Sequence, residues 1–259
     1  MSRLGDNQRS GGDDIVRLTS VRKTYNTRTG SLAALEGITI GCGKGALTAI
    51  IGPSRSGKST LLRCASGLER PTSGSVFLDG EELMDLDDAS LTRLRRDRLG
   101  FVFQGPNLLP ALDVAENIAL PLHLSGRSMD TTLFDSVIAH IGLADRLHDL
   151  PDKLSFGEQQ RVAVARAVVG RAPVIFADEP TCAQDSHDID RVLGLLRESA
   201  RAAGQTVVVA THDPRIAAYA DHVYFISRGR VVDELTLPPS KAVAERMAHL
   251  ALWDRGEQS

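Results

Sequence analysis

An apolar run at residues 46–51 ends in Gly52-Pro53-Ser54-Arg55-Ser56-Gly57-Lys58-Ser59 and leads into a helical stretch from Lys58 to Ser66. Few folds accommodate this order. A buried strand must turn into a helix through a loop with glycines at two set positions and Lys-Ser at its end. The glycines let the backbone curl so that successive N–H groups converge on an anion. The helix N-terminus adds a favourable dipole. Lys58 is placed to neutralise β- and γ-phosphates and the Ser59 hydroxyl to hold Mg²⁺. Gly52, Pro53, Ser54, Arg55, Ser56, Gly57, Lys58, Ser59 and Thr60 are therefore the expected phosphate contacts. A second glycine cluster, Gly41-Cys42-Gly43-Lys44-Gly45, lies between two strands with no helix after it and reads as a turn.

A further apolar strand, 174–177, ends in Asp178-Glu179. Ligands sit at the strand ends of parallel sheets, so Asp178 is expected to hold Mg²⁺ through water. Glu179 is expected to polarise an attacking water, which needs a carboxylate within hydrogen-bond reach. Other strand-like runs fall at 15–20, 38–40, 75–78, 99–103 and 206–210, and a hairpin at 223–226 and 230–235. Residues 107–171 turn helical, with Asp113 and Glu116 spaced as a capping box. Residues 185–203 read as a crossover helix and 241–253 as a C-terminal helix.

Composition narrows the class. The 259 residues carry 42% hydrophobic and 24% charged side chains, enough for a real core. The net charge of −3 argues against a dedicated nucleic-acid binder, so no nucleic-acid partner is expected. No stretch of 18 apolar residues exists. Residues 1–13 read as a flexible polar tail without a signal core. Three widely spaced cysteines, Cys42, Cys64 and Cys182, form no disulfide framework and fit a reducing cytoplasm.

Between Lys58 and Asp178 come Phe101-Val102-Phe103-Gln104 and Leu154-Ser155-Phe156-Gly157-Glu158-Gln159-Gln160-Arg161. After Glu179 come Ala183-Gln184-Asp185 and Thr211-His212-Asp213. This series resembles the ATP-binding cassette ATPases over residues 15–235. The resemblance implies an α/β fold. It would comprise a RecA-like P-loop NTPase core with a parallel sheet, an N-terminal antiparallel β subdomain and a helical subdomain inserted at about 107–160. The ATPase unit would span 14–235, with a C-terminal helix and tail at 236–259. It implies ATP and Mg²⁺ as ligands, with Tyr25 stacking on adenine and Gln104 contacting Mg²⁺. Ser155, Gly157 and Glu158 would belong to a signature contacting the γ-phosphate bound to the other protomer. Asp185 would cross the dimer seam, and His212 would bond the γ-phosphate. Lys58, Glu179 and His212 would form the catalytic set. The resemblance further implies an ATP-dependent homodimer working with a separate transmembrane permease, peripheral on the cytoplasmic face of the membrane.

The stretch from Asn107-Leu108-Leu109-Pro110 to Leu120-Pro121-Leu122 looks like the lipoprotein-release and macrolide-export group, which includes a cell-division relative. Export-coupled hydrolysis is the reading this resemblance favours, with a non-transport signalling ATPase or a slow regulatory subunit as the alternatives. Four positions depart from the family pattern: Arg55 and Phe156 replace glycines, Gln184 a leucine, and Cys182 a glycine or serine. They imply slow turnover. The run Arg93, Arg95, Arg96, Arg98 reads as a solvated helix face. His123, His140, His148, His187, His222 and His249 show no ligand spacing.

Overall fold

The computed structural model describes residues 14–28, 30–181 and 186–254. The chain opens with β1 (Asp14–Thr27), β2 (Gly30–Gly43), β3 (Leu47–Ile51) and α1 (Lys58–Ala65). Next come β4 (Ser73–Leu78), β5 (Glu81–Glu82), α2 (Asp88–Arg98) and β6 (Leu99–Val102). Then follow α3 (Val114–Ser125), α4 (Thr131–Ile141), α5 (Phe156–Val169), β7 (Val174–Asp178) and α6 (Ser186–Ala203). The remaining elements are β8 (Thr206–Thr211), β9 (His222–Ser227), β10 (Arg230–Thr236) and α7 (Ser240–Asp254).

One sheet has the order β10-β9-β3-β8-β7-β6. Its strands from β9 to β6 run parallel, and β10 is an antiparallel edge. Every residue of β3 and β8 is buried. Both faces are covered, which is why these strands read as continuous apolar runs rather than alternating ones. Successive side chains still point to opposite faces. Ile50 and Val208 join Val16, Leu18 and Leu61 in a core beneath the second sheet, whereas Ala49, Ile51 and Val209 pack with Ile118, Val164 and Leu196. The second sheet is antiparallel in the order β2-β1-β4-β5.

β1 and β2 extend well beyond the sequence runs at 15–20 and 38–40. Register shifts interrupt their pairing at several points, and Ser20 takes a left-handed φ of 52° at one of them. Bulges break the period-two pattern that marks a strand. The distal halves are also largely exposed, so no apolar face announces them.

The helical stretch resolves into α3, α4 and α5. Asp113 caps α3 with the expected reciprocal bonds: Glu116 N–H donates to Asp113 Oδ1 at 2.8 Å, and Asp113 N–H to Glu116 Oε2 at 2.9 Å. The basic run lies on α2, where only Leu91 and Leu94 are buried. Arg95 donates to the Gly67 carbonyl, Arg96 pairs with Asp97, and Arg98 lies near Asp79 and Glu81. A solvated helix face is what these contacts describe. Among the described residues no helix is long and apolar enough to cross a membrane.

Candidate active site

Sheet register assembles the site. Ile51 pairs with Thr211, and Asp178 pairs with Ala210. The carboxyl ends of β3, β7 and β8 therefore deliver the phosphate loop, Asp178-Glu179 and Thr211-His212 to one edge. The loop depends on missing side chains at two places. A Cβ on Gly52 would lie 2.1 Å from the Ile226 carbonyl oxygen, and one on Gly57, at φ 108°, 2.5 Å from that of Ala34. Ser56 is buried beside them, and its carbonyl accepts from Gly229 N–H at 2.9 Å. Ser54 and Arg55 are exposed at the loop tip. Arg55 sits at φ 66°. A glycine would hold this left-handed shape freely, whereas a residue with a Cβ gives up about 1–2 kcal/mol.

Lys58 is buried, and its Nζ donates to the carbonyls of Gly52 and Pro53, both at 2.9 Å. Burial holds its pKa below the ordinary lysine value, against the pull of Glu179 and Asp178. Ser59 Oγ donates to Asp178 Oδ1 at 3.0 Å. Burial raises the Asp178 carboxyl above its usual range, and the neighbouring Glu179 charge adds to this despite the Ser59 bond.

Glu179 adopts φ 49° just past the end of β7, with its N–H donating to the Ala210 carbonyl at 2.8 Å. Such strain costs about 1–3 kcal/mol and gathers at functional sites. It turns the carboxylate toward β8. Thr211 Oγ1 donates to Glu179 Oε2 at 3.1 Å, and His212 Nδ1 lies 2.9 and 3.0 Å from the two carboxylate oxygens. That contact requires the proton on Nδ1, leaving Nε2 of the 63% exposed ring free to face solvent or ligand.

A cleft of about 480 Å³ is lined by Lys58, Ser59, Thr60, Arg55, Tyr25 and Arg228, among others. A second, of about 260 Å³, holds Ser59, Asp178 and Gln104 together with Phe101, Phe103 and Asn107. The Ser59 hydroxyl, the Asp178 carboxylate and the Gln104 amide are hard oxygen donors. They suit Mg²⁺, which keeps several waters and takes few protein ligands. Among the described residues no cluster of three His, Cys, Asp or Glu has metal-site geometry.

Ser155, Gly157 and Glu158 line neither cleft. Ser155 caps α5 in a capping box, its Oγ and N–H both donating to Glu158 Oε2 at 2.8 Å. Phe156 follows and is 44% exposed. Asp185, with Cys182 and Gln184, lies outside the described residues.

Two further residues hold the Gln104 segment, and sequence reasoning passed over both. Gln160 Nε2 donates to the Phe103 carbonyl at 2.9 Å. Arg166 donates to the carbonyls of Pro106 and Asn107, at 3.0 and 2.9 Å. α5 thus grips both flanks of Gln104. The available signal is Gln160 itself, a fully buried amide within an apolar helix stripe.

A parallel sheet with a phosphate loop at one strand end and a metal-suited carboxylate two strands over defines a P-loop nucleoside triphosphatase. The ABC transporter family model matches residues 35–182. The chain is 39% identical over 221 residues to the lipoprotein-releasing system ATP-binding protein LolD of Hyphomonas neptunium, covering 85% of this chain and 97% of that one. It is 43% identical over 223 residues to the macrolide export ATP-binding/permease protein MacB 1/2 of Paracoccus denitrificans, covering 85% of this chain but 33% of that longer protein. Among solved structures, a dimeric post-hydrolysis ATP-binding cassette of Methanocaldococcus jannaschii bound to ADP and Pi matches with a TM-score of 0.80 at 37% identity. That match covers 86% of this chain and 99% of the other. The chain belongs to the ABC transporter family and is an ATP-hydrolysing subunit related to LolD and the MacB cassette.

Proposed function

We propose that two copies of this chain close head to tail around two ATP molecules and drive a separate export-type membrane permease from the cytoplasmic face. Residues 14–235 form the ATPase unit, with the helical part at about 107–160 inserted into it. One observation carries this reading. The cleft holding Lys58 and Ser59 contains nothing from Ser155–Glu158, which supports a reading in which those residues act on the nucleotide of a second copy. A second copy supplies those donors, and each γ-phosphate then receives charge-assisted bonds from both protomers, which are the strong kind. ATP can stabilise the closed pair only by its differential affinity for it.

On this reading Tyr25 stacks on the base while Lys58 Nζ exchanges the Gly52 and Pro53 carbonyls for phosphate oxygens. The loop N–H groups from Ser54 to Thr60 cradle the same charge. Ser59, Asp178 and Gln104 hold Mg²⁺, which supplies charge neutralisation at the phosphate oxygens. Glu179 accepts a proton from the water that attacks the γ-phosphorus as the bond to ADP breaks. His212, oriented through Nδ1, offers Nε2 to the γ-phosphate. Asp185 crosses the seam toward the partner.

Light scattering tests the scheme. ATP with EDTA shifts the purified chain from monomer to dimer, and added Mg²⁺ returns it to monomer with release of phosphate. A chain that stays monomeric at millimolar ATP overturns it. Phe156 limits the rate, because its exposed ring stands where the family has a glycine at the seam. Phe156→Gly raises hydrolysis about three- to tenfold, the worth of roughly 0.7–1.4 kcal/mol. An unchanged rate in a steady-state phosphate assay shows that the ring does not limit turnover, and a lower one that it helps closure instead.

A further inference from the structure

Tyr25 does not stand alone at the mouth of the cleft. Its hydroxyl donates to Glu69 Oε2 at 2.8 Å. The other Glu69 oxygen is 2.9 Å from Lys23 Nζ. Lys23 Nζ also donates to the Arg70 carbonyl at 2.8 Å and lies 5.1 Å from the centre of the Tyr25 ring. Both partners stand on fixed backbone. Glu69 N–H donates to the Arg63 carbonyl at 3.1 Å, and Thr72 N–H to that of Arg22 at 2.8 Å, tying this segment to α1 and β1. Tyr25 and Thr60 face the cleft, whereas neither Lys23 nor Glu69 lines it.

We propose that Glu69, held by Lys23, is a positioning residue that tethers Tyr25 by its hydroxyl and presets the ring as a platform for the nucleobase. A tyrosine has two soft torsions, and fixing its far end removes both. The ordering cost of the ring is then met before ligand arrives, which is how preorganisation tightens binding. The tether is charge-assisted. Burial would raise the Glu69 carboxyl, but the bonds from Lys23 and Tyr25 hold it below its usual range, so it is ionised at neutral pH. A hydroxyl donor to a carboxylate is the stronger class of bond.

The inference rests on the reading of Tyr25 as the base platform, and the test separates the two. Calorimetry in EDTA compares ATP, which has a base, with inorganic tripolyphosphate, which has none. Glu69→Ala weakens ATP about two- to tenfold and leaves tripolyphosphate unchanged. Tyr25→Phe, which keeps the ring and loses the tether, matches it, and the double variant is no worse than either. Glu69→Gln, whose amide oxygen still accepts from the hydroxyl, restores most of the affinity. If Glu69→Ala weakens both ligands equally, the residue is merely structural and the proposal fails. If Tyr25→Ala weakens ATP but Glu69→Ala does not, the tether fails while the platform stands. If Tyr25→Ala leaves ATP unaffected, the platform itself falls and the tether with it.

Discussion

Glu179→Gln binds ATP but hydrolyses it at least about a hundredfold more slowly, and the ATP-bound dimer accumulates. The rate follows from the loss of a general base, worth about 10²- to 10⁴-fold. The accumulation follows from charge. Glu179 brings a carboxylate, 14% exposed, to the edge where the proposed site would receive the γ-phosphate. Like charges about 4 Å apart at a protein surface repel by a few kcal/mol. The amide removes that repulsion and keeps one oxygen, at the position that both Thr211 Oγ1 and His212 Nδ1 reach, to anchor the strained turn at φ 49°. Phosphate release measured beside light scattering gives both readings from one sample. A variant that turns over at the parental rate removes Glu179 from the chemistry. One that is inactive yet monomeric with ATP breaks the link between hydrolysis and dimer opening.

What could be read in the sequence was local chemistry at the ends of short buried strands. Lys58, Ser59, Asp178, Glu179 and His212 each follow a run of apolar residues that is covered on both faces, so strand, strand end and reactive group are adjacent in the chain. Asp113 and Glu116 were legible for the same reason, since a capping box is complete within four residues. Arg55 was legible as a conflict, a side chain at a position shaped for glycine, and φ 66° bears that out. The distal halves of β1 and β2 were hidden by bulges and by exposure on both faces. Glu69 was hidden because its partner Tyr25 lies 44 positions away. Gln160 and Arg166 act on the Gln104 segment from 57 and 59 or more positions off. A spacing rule has no access to such pairs, which exist only once α5 docks on the sheet.

The second large effect joins stability to function with opposite signs. Asp178→Asn melts higher than the parent in the absence of ligand yet loses Mg²⁺-dependent hydrolysis by about a hundredfold or more. Burial raises the Asp178 carboxyl, so the fold favours its protonated form. The sign then follows from linkage. A raised folded pKa gives stability that is complete below the unfolded value of 3.8 and is lost as pH climbs through the folded value. At neutral pH the ionised carboxylate, beside Glu179, is a net burden on the empty protein. Asparagine has no charge to bury and still accepts from Ser59 Oγ. Each kcal/mol so relieved is worth about 2–4 °C in Tm for a domain of this size. The advantage vanishes below about pH 4, where the parent is protonated too. With ATP and Mg²⁺ in excess the order inverts, because only the carboxylate gains a dication, and ligand at about a hundred times Kd adds roughly 2.7 kcal/mol. Differential scanning fluorimetry across pH, with and without MgATP, follows both crossings. An empty Asp178→Asn protein that melts below the parent at pH 7 refutes the burial argument. One that keeps full hydrolysis refutes the place given to Asp178 beside the metal.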